Sequence, residues 1–318
     1  MTLKNDEGTA TCTTTTAAAS TGIGHSCFTD EIYSQVEHLY SKHSQHVPHI
    51  TAFLERTVLP DLLLHVLQSS SSSSTISNDA TRASDDEKRH SGNNGLSLLD
   101  VGAGPGQITH KLARHFGTVE VMEPNPSPDY LASCARSEPP FAVHPSPTLE
   151  DATIVPDAYD LILCSHVLYH VATSKWTACL QKLRAGLRKP HGRLVVALIA
   201  PRGPWYEFMC SLRPNHEVEM HTGSLCGKWD DLKNLSYKAY PQKVSLAVPE
   251  NLLPDFRNLV RLFSIADTWT PAEWEALGDA GRVEAERKVE NFIQEQCLDR
   301  EGKEYRLEFD EDYVVVMA

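Results

Sequence analysis

An apolar segment that leads directly into three closely spaced glycines is the strongest constraint this sequence places on its fold. Residues 98–107 read Leu-Leu-Asp-Val-Gly-Ala-Gly-Pro-Gly-Gln. The apolar half is typical of a buried strand, and Gly102, Gly104 and Gly106 permit the positive φ angles and close backbone approach of a tight turn into a helix. The segment therefore predicts a strand, a turn and a helix as they occur in open α/β sheets.

Strand and helix patterns alternate on both sides of this turn. The pattern predicts strands over 96–101, 119–123, 141–144, 161–165 and 193–200, and helices over 107–115, 128–135 and 175–187. Because this alternation is typical of βαβ units, we expect a doubly wound, Rossmann-like, mostly parallel sheet. Apolar residues at helical spacing within Ile32–Tyr40 and Ile50–Leu62 predict an N-terminal helical cap.

The C-terminal third is less regular. Helices are predicted over 252–263 and 280–296, and two short strands over 305–309 and 313–317. An antiparallel C-terminal strand would bring the sheet to seven strands. The acidic residues between the two short strands are typical of a solvated turn, although a carboxylate pointing inward would favour a cationic ligand.

Two low-complexity segments divide the chain. One is rich in Thr and Ala and the other contains a serine run; neither has apolar periodicity, which predicts a disordered tail over 1–26 and an inserted surface loop over 69–95. The rest, 27–318, is predicted to be a single domain. Its parts are N-terminal helices over 27–68, a core over 96–201 and a C-terminal part over 202–318.

The amino-acid composition limits the classes of partner that are expected. The 42 acidic and 29 basic residues give a net charge of −13, which disfavours nucleic acid as a partner. No apolar run is long enough to cross a bilayer, so no membrane association is expected. The eight cysteines stand singly, as is typical of reduced thiols in a cytoplasmic protein. The absence of dimerisation heptads favours a monomer.

The three glycines alone would also be compatible with an enzyme that binds a dinucleotide. Three further residues, in the turn and on either side of it, indicate a different kind of cofactor site. Asp100 places an acid at the start of the turn, and Pro105 has no N–H to offer a phosphate. Glu123 ends the second predicted strand, where a carboxylate can accept hydrogen bonds from ribose hydroxyls.

With these features, residues 96–201 resemble the class I S-adenosylmethionine-dependent methyltransferases. Asp100 and the three glycines match the first motif of that family, residues 157–166 its fourth-strand signature, and residues 192–196 its fifth strand. The resemblance implies an S-adenosylmethionine-dependent methyltransferase. It also implies that the cofactor is bound by Asp100, Gly102, Gly104, Gly106, Gln107, Glu123, Thr148, Ser165 and His166.

Flanking segments resemble the histamine N-methyltransferase family. The similarity lies in Phe28–Asp30, Phe141–His144, His166–Val171, Gly203–Trp205 and Tyr313–Ala318. It implies N-methylation of a small molecule, a cationic amine or an imidazole-type compound, by in-line displacement. It also implies that the substrate is bound by His46, Tyr169, His170, Trp205 and Phe309.

Three positions depart from that family. Residues 43–47 contain no counterpart of the glutamate that holds the amine, His166 replaces a glutamine, and Phe309 replaces an asparagine. These departures point to an amine or imidazole compound other than histamine.

His166 and His170 are the predicted catalytic residues. They follow the fourth strand, and their spacing of four residues would place them on one face of a helix. An amine must lose a proton before its lone pair can attack, and an imidazole can accept that proton directly or through water.

The histidines near the N-terminal helices raise the question of a metal ion. His46 and His49 are three residues apart and could face one ion. No carboxylate or cysteine in the surrounding sequence completes a ligand set, and methyl transfer requires no metal. We therefore expect no metal site, and we interpret these histidines as polar helix-face or pocket-lining residues.

Other functions share parts of this pattern. An O-methyltransferase for a small carboxylate or hydroxyl compound would have the same cofactor site and a different substrate pocket. A non-catalytic cofactor-binding protein is disfavoured by the intact acids and glycines of the turn. Nucleic-acid methylation is disfavoured because Cys164-Ser165-His166 stands where an Asn-Pro-Pro-aromatic element would be expected.

Overall fold

The computed structural model describes residues 30–72, 95–124, 128–137, 140–146, 148–213, 221–230, 236–266, 268–269, 271–298 and 303–318. The predicted tail and most of the predicted serine-rich loop lie outside these residues. Within the described ranges, no helix combines the length and the apolar character needed to cross a membrane.

A seven-stranded sheet is the centre of the described structure. Its strands are β1 (Ser97–Val101), β2 (Thr118–Met122), β3 (Phe141–Val143), β4 (Leu161–Ser165), β5 (Arg193–Ile199), β6 (Tyr237–Pro249) and β7 (Glu304–Met317). The order across the sheet is β3-β2-β1-β4-β5-β7-β6. Strands β1 to β5 run parallel, and β7 is antiparallel to both of its neighbours. The predicted Rossmann-like fold with an antiparallel C-terminal strand is confirmed.

The N-terminal cap consists of α1 (Asp30–His43), α2 (His46–Phe53) and α3 (Leu59–Ser72). A π-helical turn over Leu54–Val58 joins α2 to α3. The helix α3 continues through Ser72, past the predicted start of the loop at residue 69. The predicted helical cap is therefore present.

The other helices lie between and beyond the strands. They are α4 (Gln107–Leu112), α5 (Pro128–Arg136), α6 (Trp176–Gly186), α7 (Gly203–Leu212), α8 (Thr222–Asp230), α9 (Leu253–Arg261), α10 (Pro271–Ala276) and α11 (Gly278–Phe292). Of these, α7, α8 and α10 were not predicted from the sequence.

Apolar residues on both faces of the central strands explain how the helices pack. All five residues of β1 are buried, as are the first four of β4. One face of the sheet packs against α2, α3 and α4, and the other against α6 and α8. A further apolar cluster joins α1, α7, α9 and α11 to β6 and β7, beyond the carboxyl ends of the parallel strands.

The prediction of two C-terminal strands separated by an acidic turn is wrong. Residues 304–317 form one strand, β7, which pairs with β6 from Glu304 to Val316. From Glu311 to Met317, β7 also pairs with β5. The backbone groups of the acidic residues therefore take part in strand pairing and cannot form a turn. The strand β6 was not predicted; it contains Pro241, which an edge strand tolerates.

Candidate active site

A cavity of about 300 Å³ lies at the carboxyl ends of β1 and β4. The chain leaves these two neighbouring strands for opposite faces of the sheet, which is where open α/β sheets bind their ligands. The predicted site residues that line the cavity are His46, Gly102, Gly104, Gln107, Ser165, His166, Tyr169, His170, Trp205 and Phe309.

The glycine turn forms one wall of the cavity. Gly102, Gly104 and Gly106 have φ angles of 67°, 53° and 74°, in the left-handed region that glycine adopts without strain. A Cβ atom on Gly102 would lie 2.4 Å from Cγ2 of Val167, so the turn and the segment after β4 approach each other as closely as a glycine allows. The sequence prediction of a tight turn into α4 is confirmed.

Asp100 lies behind this turn and does not line the cavity. Its carboxylate accepts a 2.5 Å hydrogen bond from Thr109 Oγ1 on α4, and the residue is buried. Burial raises the pKa of Asp100 to about 7, an effect that the hydrogen bond from Thr109 opposes. Asp100 thus links β1 to α4 and stabilises the turn between them from the protein interior.

Three more predicted cofactor residues lie outside the cavity wall. Glu123 is adjacent to the turn, and its Oε2 atom accepts a 2.8 Å hydrogen bond from the Gly104 N–H. Gly106 is the residue before α4. Thr148 donates a 2.9 Å hydrogen bond to Asp151.

His166 directly follows β4 and projects into the cavity region with an unusual backbone. Its φ angle is 57°, which is rare for a residue with a side chain and recurs at functional sites. Its N–H donates a 3.0 Å hydrogen bond to the Ala197 carbonyl, and its ring stacks on Tyr169 at 5.6 Å. Tyr169 is itself fixed, because its hydroxyl accepts a 2.7 Å hydrogen bond from the Ile199 N–H.

The prediction that His166 and His170 share a helix face is wrong. The segment Leu168–His170 is a short 3-10 turn, and His166 precedes it in the left-handed conformation. His170 is exposed at the rim of the cavity, whereas the His166 side chain is only 25% exposed.

Three side chains that are distant in the sequence meet beside the cavity: His46, His166 and Glu311. His46 Nδ1 lies 3.0 Å from Glu311 Oε2, and His166 Nε2 lies 3.0 Å from Glu311 Oε1. The two ring nitrogens are 3.4 Å apart. On its other side, His46 Nε2 is 3.0 Å from Ser165 Oγ. We call His46, His166 and Glu311 the His-His-Glu cluster.

Burial and charge set the protonation of this cluster. Burial by itself would raise the pKa of the fully buried Glu311, but the adjacent His46 and His166 outweigh it, so this pKa lies well below its ordinary value. Burial lowers the pKa of His46, and the nearby carboxylate only partly opposes that effect. Burial and then the charge on Glu311 raise the pKa of Tyr40. At neutral pH Glu311 is therefore a carboxylate anion in contact with both histidines.

Glu311 was not among the predicted site residues, yet a signal for it exists in the sequence. The odd-numbered residues of β7 from Tyr305 to Tyr313 are all buried, and Glu311 occupies one of these positions. Extending the apolar alternation of 305–309 through the acidic residues would have placed Glu311 in the interior. Asp312 points to the other face, where Arg202 and Thr222 donate hydrogen bonds to it.

The rest of the cavity wall is largely apolar and aromatic. Tyr40 and Phe263 contact each other edge to face with ring centroids 5.5 Å apart, and Trp205 and Phe309 continue this wall. The lining residues that sequence reasoning missed include Tyr40, Ser41, Ser44, Met209, Leu262, Phe263 and Leu307. Among the described residues that line the cavity, none is a lysine or an arginine.

A family model described as a methyltransferase domain matches residues 75–257, more than half of the chain. No curated protein sequence matches at a significant level.

Several solved structures have a similar fold. The YcgJ protein of Bacillus subtilis is 17% identical, with a TM-score of 0.46 over 71% of this chain and 92% of that one. A SAM-dependent methyltransferase of Leishmania major is 18% identical, with a TM-score of 0.30 over 54% and 62% of the two chains. The N-methyltransferase NodS of Bradyrhizobium japonicum is 17% identical, with a TM-score of 0.35 over 46% and 76%.

Proposed function

Because the chain belongs to the methyltransferase-domain family and is an S-adenosylmethionine-dependent methyltransferase, we propose that it methylates the nitrogen of a small amine or imidazole-type compound. The family assignment supports an enzyme over a purely non-catalytic cofactor-binding protein. The likeness to the histamine N-methyltransferase family remains a prediction from the sequence and supports the choice of nitrogen.

The glycine turn offers a fitting place for the cofactor. The backbone of Gly102 and Gly104 faces the cavity, and a Cβ atom on Gly104 would have no heavy atom within 4 Å. We assign Gly102, Gly104, Gln107, Ser165 and His166 to cofactor contacts. When bound, the cofactor supplies a methyl group activated on a sulfonium.

The predicted cofactor residues outside the cavity wall keep supporting roles in this proposal. The Glu123 carboxylate now accepts the Gly104 N–H, and it would turn to accept ribose hydroxyls. Asp100 and Gly106 would shape the turn, and Thr148 would border the adenine end.

The observation that carries the choice of acceptor is the buried Glu311 carboxylate directly behind His166. An anion in this position, 3.0 Å from the ring nitrogen, lowers the energy of a positive charge at the cavity. The wall of Tyr40, Phe263, Trp205 and Phe309 adds aromatic faces, which attract cations by about 0.5–2 kcal/mol. Both features suit a protonated amine.

A carboxylate acceptor fits the same cavity poorly. It would lie near the Glu311 anion, and the lining residues include no lysine or arginine to pair with it. The alternative of O-methylation on a small carboxylate is therefore the weaker proposal.

His166 would take the proton from the bound ammonium and leave the nitrogen lone pair free to attack. Its side chain is partly exposed to the cavity, and Glu311 offsets the charge that the ring gains. The other residues would align the nitrogen with the methyl carbon at about 3–3.5 Å, where most of the gain from positioning is made. Tyr169, Trp205, Phe309, His46 and His170 would shape the substrate side.

A panel of labelled-methyl transfer assays tests this function. The purified chain would be incubated with radiolabelled S-adenosylmethionine and matched small compounds that present an amine, an imidazole, a hydroxyl or a carboxylate. We expect label transfer to amines or imidazoles, with product analysis placing the methyl group on nitrogen. Transfer only to carboxylates or hydroxyls would contradict the proposal while leaving the methyltransferase assignment intact.

Replacing His166 with alanine is expected to lower kcat by about 100-fold or more, as loss of a general base does. The affinity for S-adenosylmethionine should change much less, because the glycine turn provides most of its contacts. Calorimetric titration with the cofactor and steady-state kinetics measure the two effects separately. His49→Ala, a histidine on α2 outside the cavity wall, is the matched control. Equal losses of affinity and turnover in His166→Ala would contradict the assigned role.

We place this enzyme in the reducing cytoplasm as a monomer. All six cysteines in the described ranges are free thiols, which supports a reducing compartment. Size-exclusion chromatography with light scattering would decide the oligomeric state.

A further inference from the structure

The possible ligand atoms of the His-His-Glu cluster lie close together, although their residues are far apart in the chain. His46 and Glu311 are separated by 265 positions, and His46 and His166 by 120. One ligand atom from each of the three residues can be chosen so that all lie within 4.8 Å of one another. The sequence predicted no metal ion because no local segment contains a complete ligand set.

The distances in the cluster, measured to two different oxygens of Glu311, are short enough for its side chains to share one small cation. Each histidine nitrogen is 3.0 Å from a carboxylate oxygen, and the nitrogens are 3.4 Å apart. Ligands at about 2.0–2.1 Å from zinc lie about 3.3 Å from each other in a tetrahedral site. We propose that His46 Nδ1, His166 Nε2 and the Glu311 carboxylate bind a divalent transition-metal ion of the zinc type.

An unsatisfied buried acceptor is an independent sign of a missing ligand. Glu311 is 0% exposed, and its Oε1 atom has no hydrogen-bond partner among the described residues. The 3.0 Å approach of His166 Nε2 to this atom is close but does not have the direction of a hydrogen bond. Buried carboxylate oxygens are normally paired, and a cation at the centre of the cluster would satisfy this one.

The neighbour of His46 favours metal binding through Nδ1. His46 Nε2 is 3.0 Å from Ser165 Oγ, which can accept its proton. In the tautomer in which Nε2–H donates to Ser165, Nδ1 keeps its lone pair, and a metal ion would take the place of the present contact between Nδ1 and Glu311 Oε2. Histidines that bind metals commonly donate their other N–H to such a partner.

The donor set selects the type of ion. Two imidazoles and one carboxylate suit zinc and the neighbouring first-row transition metals, whereas magnesium and calcium prefer oxygen ligands alone. The three side chains also line the cavity, so a further coordination position would face it.

Such an ion would compete with the proposed reaction, and this part of the inference depends on the proposed function. An ion on Nε2 of His166 would cancel the effect of the Glu311 charge and disfavour uptake of the amine's proton by the other nitrogen of the ring. We therefore expect zinc to inhibit amine methylation without lowering the affinity for S-adenosylmethionine.

Metal binding is tested without any substrate. The chelator-treated full chain would be titrated with Zn²⁺ and Co²⁺ in a competition assay, with Mg²⁺ as the hard-ion comparison. We expect ~1 equivalent of Zn²⁺ with a dissociation constant below about 1 μM, and no comparable binding of Mg²⁺. Glu311→Gln and His166→Gln should each weaken zinc binding by about 100-fold or more, because each removes a direct ligand.

Two controls exclude binding elsewhere. His49→Gln changes a histidine three residues from His46, and His191→Gln removes one ring of the stacked surface pair His65–His191. Both variants should bind zinc as the original chain does. In the original chain, histidine NMR spectra should show that the ring signals of His46 and His166 move when zinc is added.

The proposal is overturned if zinc leaves the His46 and His166 signals unchanged, or if folded Glu311→Gln and His166→Gln variants bind it equally well. A cooperative thermal unfolding transition establishes that the variants are folded. Because the binding assays contain no methyl acceptor, failure to find an amine substrate would count against the proposed function and leave the metal proposal standing.

Discussion

Replacing Glu311 with glutamine is expected to lower kcat/KM for an amine acceptor by about 100-fold or more, the range found when one partner of a buried charged pair is neutralised. Glutamine has nearly the same shape, so the change removes the negative charge behind His166 while preserving packing on β7. Metal-free protein should be used, so that a lost zinc site does not contribute. Steady-state kinetics with the amine identified in the transfer panel provide the measurement.

Glu311 is buried behind His166 and His46, and we assign it a positioning role. If Glu311 had only a structural role, Glu311→Gln would lower both the stability of the protein and its affinity for the cofactor. The assigned role predicts that cofactor affinity is retained, that kcat/KM falls, and that Glu311→Asp recovers part of the activity because the charge is restored. Glu308→Gln, an exposed glutamate on the same strand, should have no effect. Full activity in Glu311→Gln would refute the assigned role.

Replacing Gly102 with alanine is expected to reduce the affinity for S-adenosylmethionine by about 100-fold or more, because two unfavourable effects of the order of 1–3 kcal/mol combine. The φ angle of 67° is unfavourable for a residue with a Cβ atom, and that atom would lie 2.4 Å from Cγ2 of Val167. The turn must then shift away from the segment that follows β4. Calorimetric titration with the cofactor measures the loss, and thermal unfolding establishes that the variant is folded.

Two further variants separate strain from collision. Gly104 has a φ angle of 53°, but an added Cβ atom would have open space around it. Gly104→Ala should therefore lose less affinity for S-adenosylmethionine than Gly102→Ala. Adding Val167→Ala to Gly102→Ala removes the colliding methyl group and should recover part of the loss. If the double variant binds S-adenosylmethionine no better than Gly102→Ala does, the close approach of the two segments is not the reason that a glycine is required at position 102.

Local sequence patterns were sufficient to predict the parallel strands of the sheet. The strand at Leu161–Ser165 was predicted with the observed limits, since it is a short apolar run between a turn and a polar residue. The glycine turn at 102–106 was also predictable, because positions that need positive φ angles are usually occupied by glycine, which is visible in the sequence. These features depend on residues that are near one another in the chain.

The antiparallel edge was predicted less well because its stability comes from pairing between distant segments. The strand β6 contains prolines and polar residues and forms because β7 supplies hydrogen-bonding partners along its length. The acidic residues of β7 look like a turn until that pairing is known. One of them, Asp312, is neutralised by Arg202, which is more than a hundred positions away.

The sequence by itself determined the parallel part of the sheet and the glycine turn, since these depend on residue types at fixed local spacing, and its resemblance to a known family implied the class of cofactor. It also placed His46 and His166 among the site residues, but it assigned them separate roles and omitted Glu311. Only the tertiary structure decided that the three side chains meet, because α2, the end of β4 and the middle of β7 come together through the packing of the whole domain. A constellation of this kind leaves no local pattern, so its chemistry becomes visible only when the chain is folded.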